Sequence, residues 1–423
     1  MAIELQLPLK VSPLRYPASC SPSLKEDGFG VVVEGVKDIN NISEAEMAQI
    51  EKLLYTHSLV LFPNVDLTPK GQFQLTNAFD KDSHEYGHGA VGRPEAASIL
   101  HPDLRNIPSQ PAVQLIGNGP ISDENITQGL LIPCQLKHPS HQHFHKTIIT
   151  DEDSAAGFTR FYRWHIDAAL YERDPPKVTT LYGLKMPSGG HRQTVRYDDG
   201  TNDELDVSIG ATAFVSGKKM FEILPPAYRS LAVRTKVQYS PHPYVWMATA
   251  KSNSTGLGMV SDGMETARED LPPFEVSKIK TYPMVFTRCY FIFPKTLFTE
   301  SSSSLSFLQL WKNPVTGALH FQVHPSGVQT LVHTFRFLVS DFTHHKSCRQ
   351  IIDPLPAGAV VTKDTLYPAG AHLTDLKEVR DLLYKMQRPA IAPEVVLPAS
   401  LLTTRLLTHI SVFAAGLRPR LES

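Results

Sequence analysis

Cysteine is scarce in this chain. The four present among 423 residues, Cys20, Cys134, Cys289 and Cys348, stand far apart and form no C-x-x-C pair. That excludes a disulfide framework and a zinc ribbon and points to a reducing compartment. An excess of charge of either sign is also missing: the net charge is −1 and the pI is near 7.0. Without a basic field to attract a polyanion, nucleic acid is not an expected partner. Long apolar runs are absent as well. The most apolar later stretch, "MVFTRCYFIFPKTLF", is interrupted by Arg288, Pro294 and Lys295 and is too short and too charged to span a bilayer. The N-terminal "MAIELQLPLKVSP" lacks the charged start and apolar run of a signal peptide, so the expectation is a cytoplasmic protein with no membrane partner. No internal repeat is found.

Hydrophobic residues are 42% of the chain and charged residues 20%, enough for a sizeable core. Proline is frequent, at 33 residues, which suits turns and short strands better than a helix bundle. The spacing predicts a strand in "FGVVVEGV". In "SEAEMAQIEKLLYTHS" Ser43 and Glu46 form a capping-box pair, and Met47, Ile50, Leu53 and Leu54 recur at helical intervals. "SLVLFPN" reads as a buried strand and "TPKGQFQLTNAFD" as a helix opened by Thr68 and Pro69. From Phe161 to Ser240 short apolar runs alternate with turns such as "PSGG" and "YDDG", as in a sandwich or barrel. "DLKEVRDLLYKMQRP" is an amphipathic helix stopped before Pro389. The expected class is α+β, mostly β. One catalytic domain is expected over residues 25–396, with atypical segments near 287–310 and 333–350. The tail, 397–423, shows no evident strand–turn pattern.

His165 and Asp167 stand two residues apart in "RWHIDAALYERDPPK". In a strand such positions share a face. An imidazole and a carboxylate so placed are two of the three donors of the two-histidine, one-carboxylate ferrous site. The residues alone leave an iron pair and a hydrogen-bonded core pair equally open. The second H-x-D, at His101 and Asp103, encloses Pro102 and reads as a loop. His141, His143 and His145 alternate at strand spacing, but no cysteine or carboxylate stands nearby to complete a zinc or nickel site. His324 reads as structural.

The wider block resembles the taurine dioxygenase superfamily of Fe(II)/2-oxoglutarate enzymes. There the His and Asp are followed by paired prolines, a strand, a Pro-x-x-Gly-Gly turn and a threonine. Here those are Pro175–Pro176, "VTTLYGL", the turn from Pro187, and Thr194, displaced by His191 and Arg192. A narrower likeness, in "QLKHPSHQHFHK", "TDEDSAAGFTRFYRWHIDAALY", "QTVRYDDGTNDELDV" and "HLTDLKEVRDLLYKMQRP", is to the fungal xanthine dioxygenases of that superfamily. The resemblance implies a jelly-roll (double-stranded β-helix) core with flanking helices, Fe(II) on His165 and Asp167, and 2-oxoglutarate held with help from Thr194. It implies hydroxylation of xanthine to urate, with O2 consumed and succinate and CO2 released. It also implies purine recognition by Gln114, Lys137, Glu152 and Asp153. After "QRPAIAPEVV" the chain departs from the family: no Gly-Asp turn precedes a distal histidine. His409 is the one histidine left, with Arg418 and Arg420 behind it. The order allows His409 as third ligand and Arg420 as partner of the keto acid's far carboxylate. Three readings follow: an active dioxygenase, a relative acting on another small substrate, or a member with impaired or no catalysis.

Overall fold

Local chemistry sets the first layer. Ser43 caps the helix Glu44–His57: its hydroxyl accepts from the Glu46 amide, and the Glu46 carboxylate accepts from the Ser43 amide in return. Burial alone would raise the Glu46 carboxyl, but the hydrogen bonds from Ser43 and Lys37 outweigh it and hold it below its usual value. The helix leaves through Ser58 in the left-handed region (φ 62°), and the chain enters the fully buried strand Leu59–Phe62. Ile50 and Leu54, on the inner face of the helix, pack with Val60 and Phe62 of that strand. Thr68 caps the helix Pro69–Ala78 as its sequence predicts.

The computed structural model describes residues 9–81, 105–121, 134–136, 144–167, 176–185, 191–260, 264–273, 281–286, 313–332, 352, 354–399, 406–409 and 412–416. The first sheet orders its strands Lys10–Pro13, Val31–Glu34, Leu59–Phe62, Leu406–His409 and Thr179–Tyr182. A second joins Glu204–Ser208, Arg192–Arg196 and Phe158–Thr159; a third joins Leu397–Ala399, Thr212–Ser216 and Val412–Gly416; a fourth joins Thr281–Pro283, Lys236–Tyr239 and Val328–Val332. The architecture mixes helices and sheets, and no described helix is long and apolar enough to cross a membrane.

Two expectations need correction. The tail holds strands: Leu406–His409 runs antiparallel between Leu59–Phe62 and Thr179–Tyr182, and Val412–Gly416 runs antiparallel to Thr212–Ser216. These short segments carry little pattern of their own; backbone pairing with neighbours distant in sequence defines them. The stretch Phe161–Ser240, read as strands and turns alone, also contains the helices Gly217–Glu222 and Pro226–Arg234. The second begins with Pro226 at its first position, a start signal that the surrounding strand texture obscured. The atypical segment near 287–310 lies outside the described residues, as does that near 333–350.

The main core gathers Phe161, Trp164 and Ile166 with Val195, Tyr197, Val207 and Val215, closed by Val379, Leu383 and Met386 of the helix Leu376–Gln387. An ionic latch holds that helix down. Arg388, at its end, donates to Asp199, to Asp203 and to the Thr201 hydroxyl, while the Tyr384 hydroxyl donates to Asp199. Its guanidinium lies 4.8 Å over the Tyr197 ring, and the Tyr197 hydroxyl donates to the Ile391 carbonyl at 2.6 Å. Burial would raise the Asp199 carboxyl, but hydrogen bonds from Arg388, Thr201 and Tyr384 overcome this and hold it well below the usual carboxylate range.

Arg388→Ala leaves a carboxylate that is only 12% exposed without its cation. It should cost about 3 kcal/mol in urea unfolding, as for other broken buried pairs. The folded Asp199 pKa lies below the unfolded one. The latch therefore contributes fully above the ordinary carboxylate range, and its contribution is lost as pH falls toward the folded value. Asp199→Asn should flatten that acid-side loss in stability; an unchanged pH profile would count against the latch.

Candidate active site

The site is built on one short segment with two sides. Phe161, Trp164 and Ile166 are buried in the main core, while Arg163, His165 and Asp167 face away from it, each partly accessible. Phe161 and Trp164 pack with ring centroids 4.7 Å apart and planes tilted by 52°, and Tyr197 meets Phe161 edge-on at 5.5 Å. The Trp164 amide donates to the Gly256 carbonyl at 2.9 Å. Gly256 itself has φ +71°, and a Cβ there would stand 2.7 Å from the Phe161 carbonyl oxygen, so the close approach requires glycine. His145 completes the seat: it is buried, and its Nε2–H donates to the Phe161 carbonyl at 2.9 Å. That gives His145 a structural role; His141 and His143 lie outside the described residues, as do His101 and Asp103.

The strand expected around His165 is reduced to a single bridge residue, yet the expected convergence is present. The Nε2 of His165 lies 3.3 Å from Oδ1 of Asp167. Nδ1 lies 3.0 Å from the Arg163 carbonyl, which can only accept, so Nδ1 carries a proton. The remaining nitrogen then faces a carboxylate oxygen, base against base. Such a pair calls for a proton or a cation between its atoms. Burial pulls the His165 pKa down, but the hydrogen bond and charge of Asp167 outweigh it, and the net shift is upward. Both side chains keep accessible surface, 38% and 31%, beside the buried Trp164, Ile166 and His324, so the pair lines a recess.

This donor set suits a ferrous ion. Two ligand atoms about 2.1 Å from a metal at a right angle are about 3 Å apart, close to the separation seen here. Among the described residues no third His, Cys, Asp or Glu completes the group. His324 is nearby, with its ring centroid 6.4 Å from that of His165. Imidazoles on adjacent octahedral positions should be about 4.6 Å apart. Moreover, its Nδ1 accepts from the Ser326 amide, leaving the proton on Nε2. Burial, then the His165 and Arg163 charges, push its pKa down to about 3, so it stands as a neutral wall of the recess. Sequence reasoning treated His324 as structural and could not place it beside His165.

The other expected residues separate into groups. Thr194 pairs with Phe158, and its amide donates to the Gly157 carbonyl at 2.9 Å, just after the helix Asp151–Ala155. Glu152 and Asp153 lie in the first turn of that helix, capped by Thr150; Glu152 is exposed, and Asp153 is paired with Arg196 at 3.1 Å. Gln114 stands on the strand Gln110–Leu115, and its side-chain nitrogen is buried with no acceptor among the described residues. No hydrogen bond or ion pair among the described residues links Gln114 or Thr194 to the His165–Asp167 pair. His409 ends the strand Leu406–His409 opposite Leu59 and Thr179. Lys137, Arg418 and Arg420 lie outside the described residues.

Arg163 was not singled out by sequence reasoning. Its guanidinium lies 4.3 Å over the Phe144 ring, which in turn meets Tyr162 at 4.6 Å. Burial lowers its pKa to about 10.

Comparison with known proteins bears on this arrangement. The alpha-ketoglutarate-dependent xanthine dioxygenase xanA of Emericella nidulans is 40% identical over 393 residues, 92% of this chain and 86% of its own. The xanthine dioxygenase xan-1 of Neurospora crassa is 42% identical over 403 residues, 94% of this chain and 79% of its own. The enzyme xan1 of Schizosaccharomyces pombe is 38% identical over 390 residues, 92% of this chain and 78% of its own. Residues 23–334, well over half the chain and including both His165 and Asp167, match the family described as taurine catabolism dioxygenase TauD, TfdA. This chain therefore belongs to the TauD/TfdA family.

Proposed function

We propose that the protein is an Fe(II)- and 2-oxoglutarate-dependent dioxygenase that hydroxylates xanthine to urate. Xanthine, 2-oxoglutarate and O2 are consumed, and urate, succinate and CO2 are produced. The reading is carried by the His165–Asp167 pair, whose tautomer turns a bare nitrogen toward a carboxylate at 3.3 Å. Support for the substrate comes from the xanthine dioxygenase relatives at 38–42% identity. The mixed sheets and helices are consistent with a jelly-roll core in one domain, to which the strands of the segment 397–423 also contribute, rather than a domain ending at 396.

In this reading His165 and Asp167 hold the ferrous ion, which when bound supplies the site where the keto acid and oxygen react. The Arg163 carbonyl keeps the His165 tautomer fixed, and Ile166, Trp164 and Phe161 keep the segment from shifting. Thr194 is proposed to help hold the keto acid. Gln114, with an unmet buried donor, is suited to a purine carbonyl; Lys137 is proposed beside it, and Glu152 and Asp153 as acceptors for ring N–H groups, Asp153 oriented by Arg196. His409 is proposed as the third ligand and Arg420 as the keto acid's carboxylate partner. The dispersed cysteines accord with a proposed cytoplasmic location.

One specific observation motivates a second reading, a relative with impaired or no catalysis: after "QRPAIAPEVV" the sequence has no Gly-Asp turn before His409. Metal titration separates the two. His165→Ala and Asp167→Ala should each weaken Fe(II) binding by more than about 100-fold, beyond the effect of losing an outer-shell hydrogen bond. If His409 completes the site, His409→Ala should weaken it comparably and abolish succinate release. Metal affinity unchanged in His409→Ala, together with no succinate formed by the unaltered protein, would favour the second reading.

A pH dependence follows from the same pair. Below its raised pKa, His165 carries a proton at the atom that must bind metal. Metal affinity should fall as pH drops through that pKa, and binding should release a proton. Calorimetry in buffers of different ionisation enthalpy would detect it; Asp167→Asn should move the dependence to lower pH.

A further inference from the structure

Every other buried or half-buried arginine among the described residues donates to a carboxylate or a carbonyl. Arg160 pairs with Asp198, Arg196 with Asp153 and Asp198, Arg380 with Glu265, and Arg388 with Asp199 and Asp203. Arg234 donates to the Ser230, Leu366 and Tyr367 carbonyls. Arg163 is the exception. Among the described residues it has no carboxylate partner and its Nε is buried without an acceptor; Arg160 and Arg380 also have an unmet Nε, but each is paired with a carboxylate through a terminal nitrogen. A half-buried guanidinium whose Nε is shut off from water carries an unmet desolvation cost, which a ligand's acceptors can relieve.

Its surroundings indicate the shape of that ligand. One face of the guanidinium is covered by Phe144 at 4.3 Å, leaving the in-plane N–H edge as the part able to bind. Arg163 stands two residues before His165 in the same partly accessible set, and its carbonyl meets the His165 Nδ1 at 3.0 Å, so it borders the recess that the His165–Asp167 pair lines. Tyr162 packs on Phe144, and Tyr244 meets the His324 ring edge-on at 6.4 Å. A recess bordered by flat rings suits a flat heterocycle better than an aliphatic diacid. The fork of an arginine matches a carbonyl oxygen beside a ring nitrogen, as in its bidentate contact with the O6/N7 edge of guanine. Xanthine carries a carbonyl at the same ring position, and in its N9–H tautomer N7 is the acceptor beside it.

We propose that Arg163 is a substrate-recognition residue whose in-plane N–H groups receive the carbonyl-and-nitrogen edge of the purine beside the His165–Asp167 pair. The proposal rests on the xanthine reading and assigns Arg163 a part in selecting the purine.

The test is calorimetric titration of the full chain loaded with zinc, a redox-inert ion, using 2-oxoglutarate first and then xanthine or 2-hydroxypurine, which lacks the C6 oxygen. The unaltered protein should bind xanthine more tightly than 2-hydroxypurine. Arg163→Met, which keeps a stem against Phe144, should weaken xanthine binding about 10- to 100-fold. It should bring the xanthine to 2-hydroxypurine ratio close to one and leave 2-oxoglutarate affinity unchanged. Arg163→Lys, which keeps the charge without the fork, should recover only part of the preference. Circular dichroism and thermal unfolding of both variants establish that they fold. If Arg163→Met weakens 2-oxoglutarate and not xanthine, the guanidinium serves the keto acid and the proposal is overturned. It is equally overturned if a folded variant retains the purine preference. If the unaltered protein binds 2-oxoglutarate but no xanthine, the xanthine reading itself fails, and this inference with it.

Discussion

The candidate site depends on how the segment from Phe161 to Asp167 is seated. Three of its side chains, Phe161, Trp164 and Ile166, are buried in the main core, and the intervening Arg163, His165 and Asp167 are thereby turned to the recess. Burying large apolar side chains stabilises by about 1.5–3 kcal/mol each, whereas an exposed ion pair contributes about 0–1 kcal/mol. Packing, not the His165–Asp167 attraction, therefore decides where these two polar groups stand. Backbone contacts refine the seat: Gly256 lies against the Phe161 carbonyl where a Cβ would not fit, and His145 donates to that same oxygen. The cost of holding base against base at 3.3 Å is met by the surrounding core.

Electrostatics then divides the arginines by task. Those that hold the scaffold are paired: Arg388 with Asp199 and Asp203 pins the C-terminal helix to the turn after the strand Arg192–Arg196, and Arg160 and Arg196 join that turn through Asp198. The same strand carries Thr194, so the latch and the expected keto-acid residue share one rigid element. Arg163 is left out of this pairing and rests on an aromatic face instead. A charge so placed adds little to the stability of the fold, which is why its meaning is sought in binding.

Much of this was legible in the sequence where local chemistry decides the outcome. The capping box at Ser43 and Glu46, the Thr68–Pro69 start and the amphipathic helix before Pro389 each act within a turn or two, and each element appears where it was read. The His165–Asp167 spacing likewise indicated the convergence, although the segment there is a single bridge residue. The helix Pro226–Arg234 was less legible, because its start signal lay inside a run of strand-like texture. The strands Leu406–His409 and Val412–Gly416 were illegible, since their definition lies in partners hundreds of residues away.

By itself, the sequence determined the family block, the identity of the two convergent donors and the elements whose caps and periodicity are local. Only the tertiary structure decided that His324 stands beside His165 but in the wrong tautomer to join it. It alone showed that Asp153 is engaged by Arg196, that His145 supports a carbonyl, and that Arg163 has a buried Nε and no counter-ion among the described residues. The reason is physical. A cap or a two-residue alternation is fixed by short-range geometry, whereas tautomer, desolvation and pairing depend on which distant atoms the folded chain brings within a few ångströms.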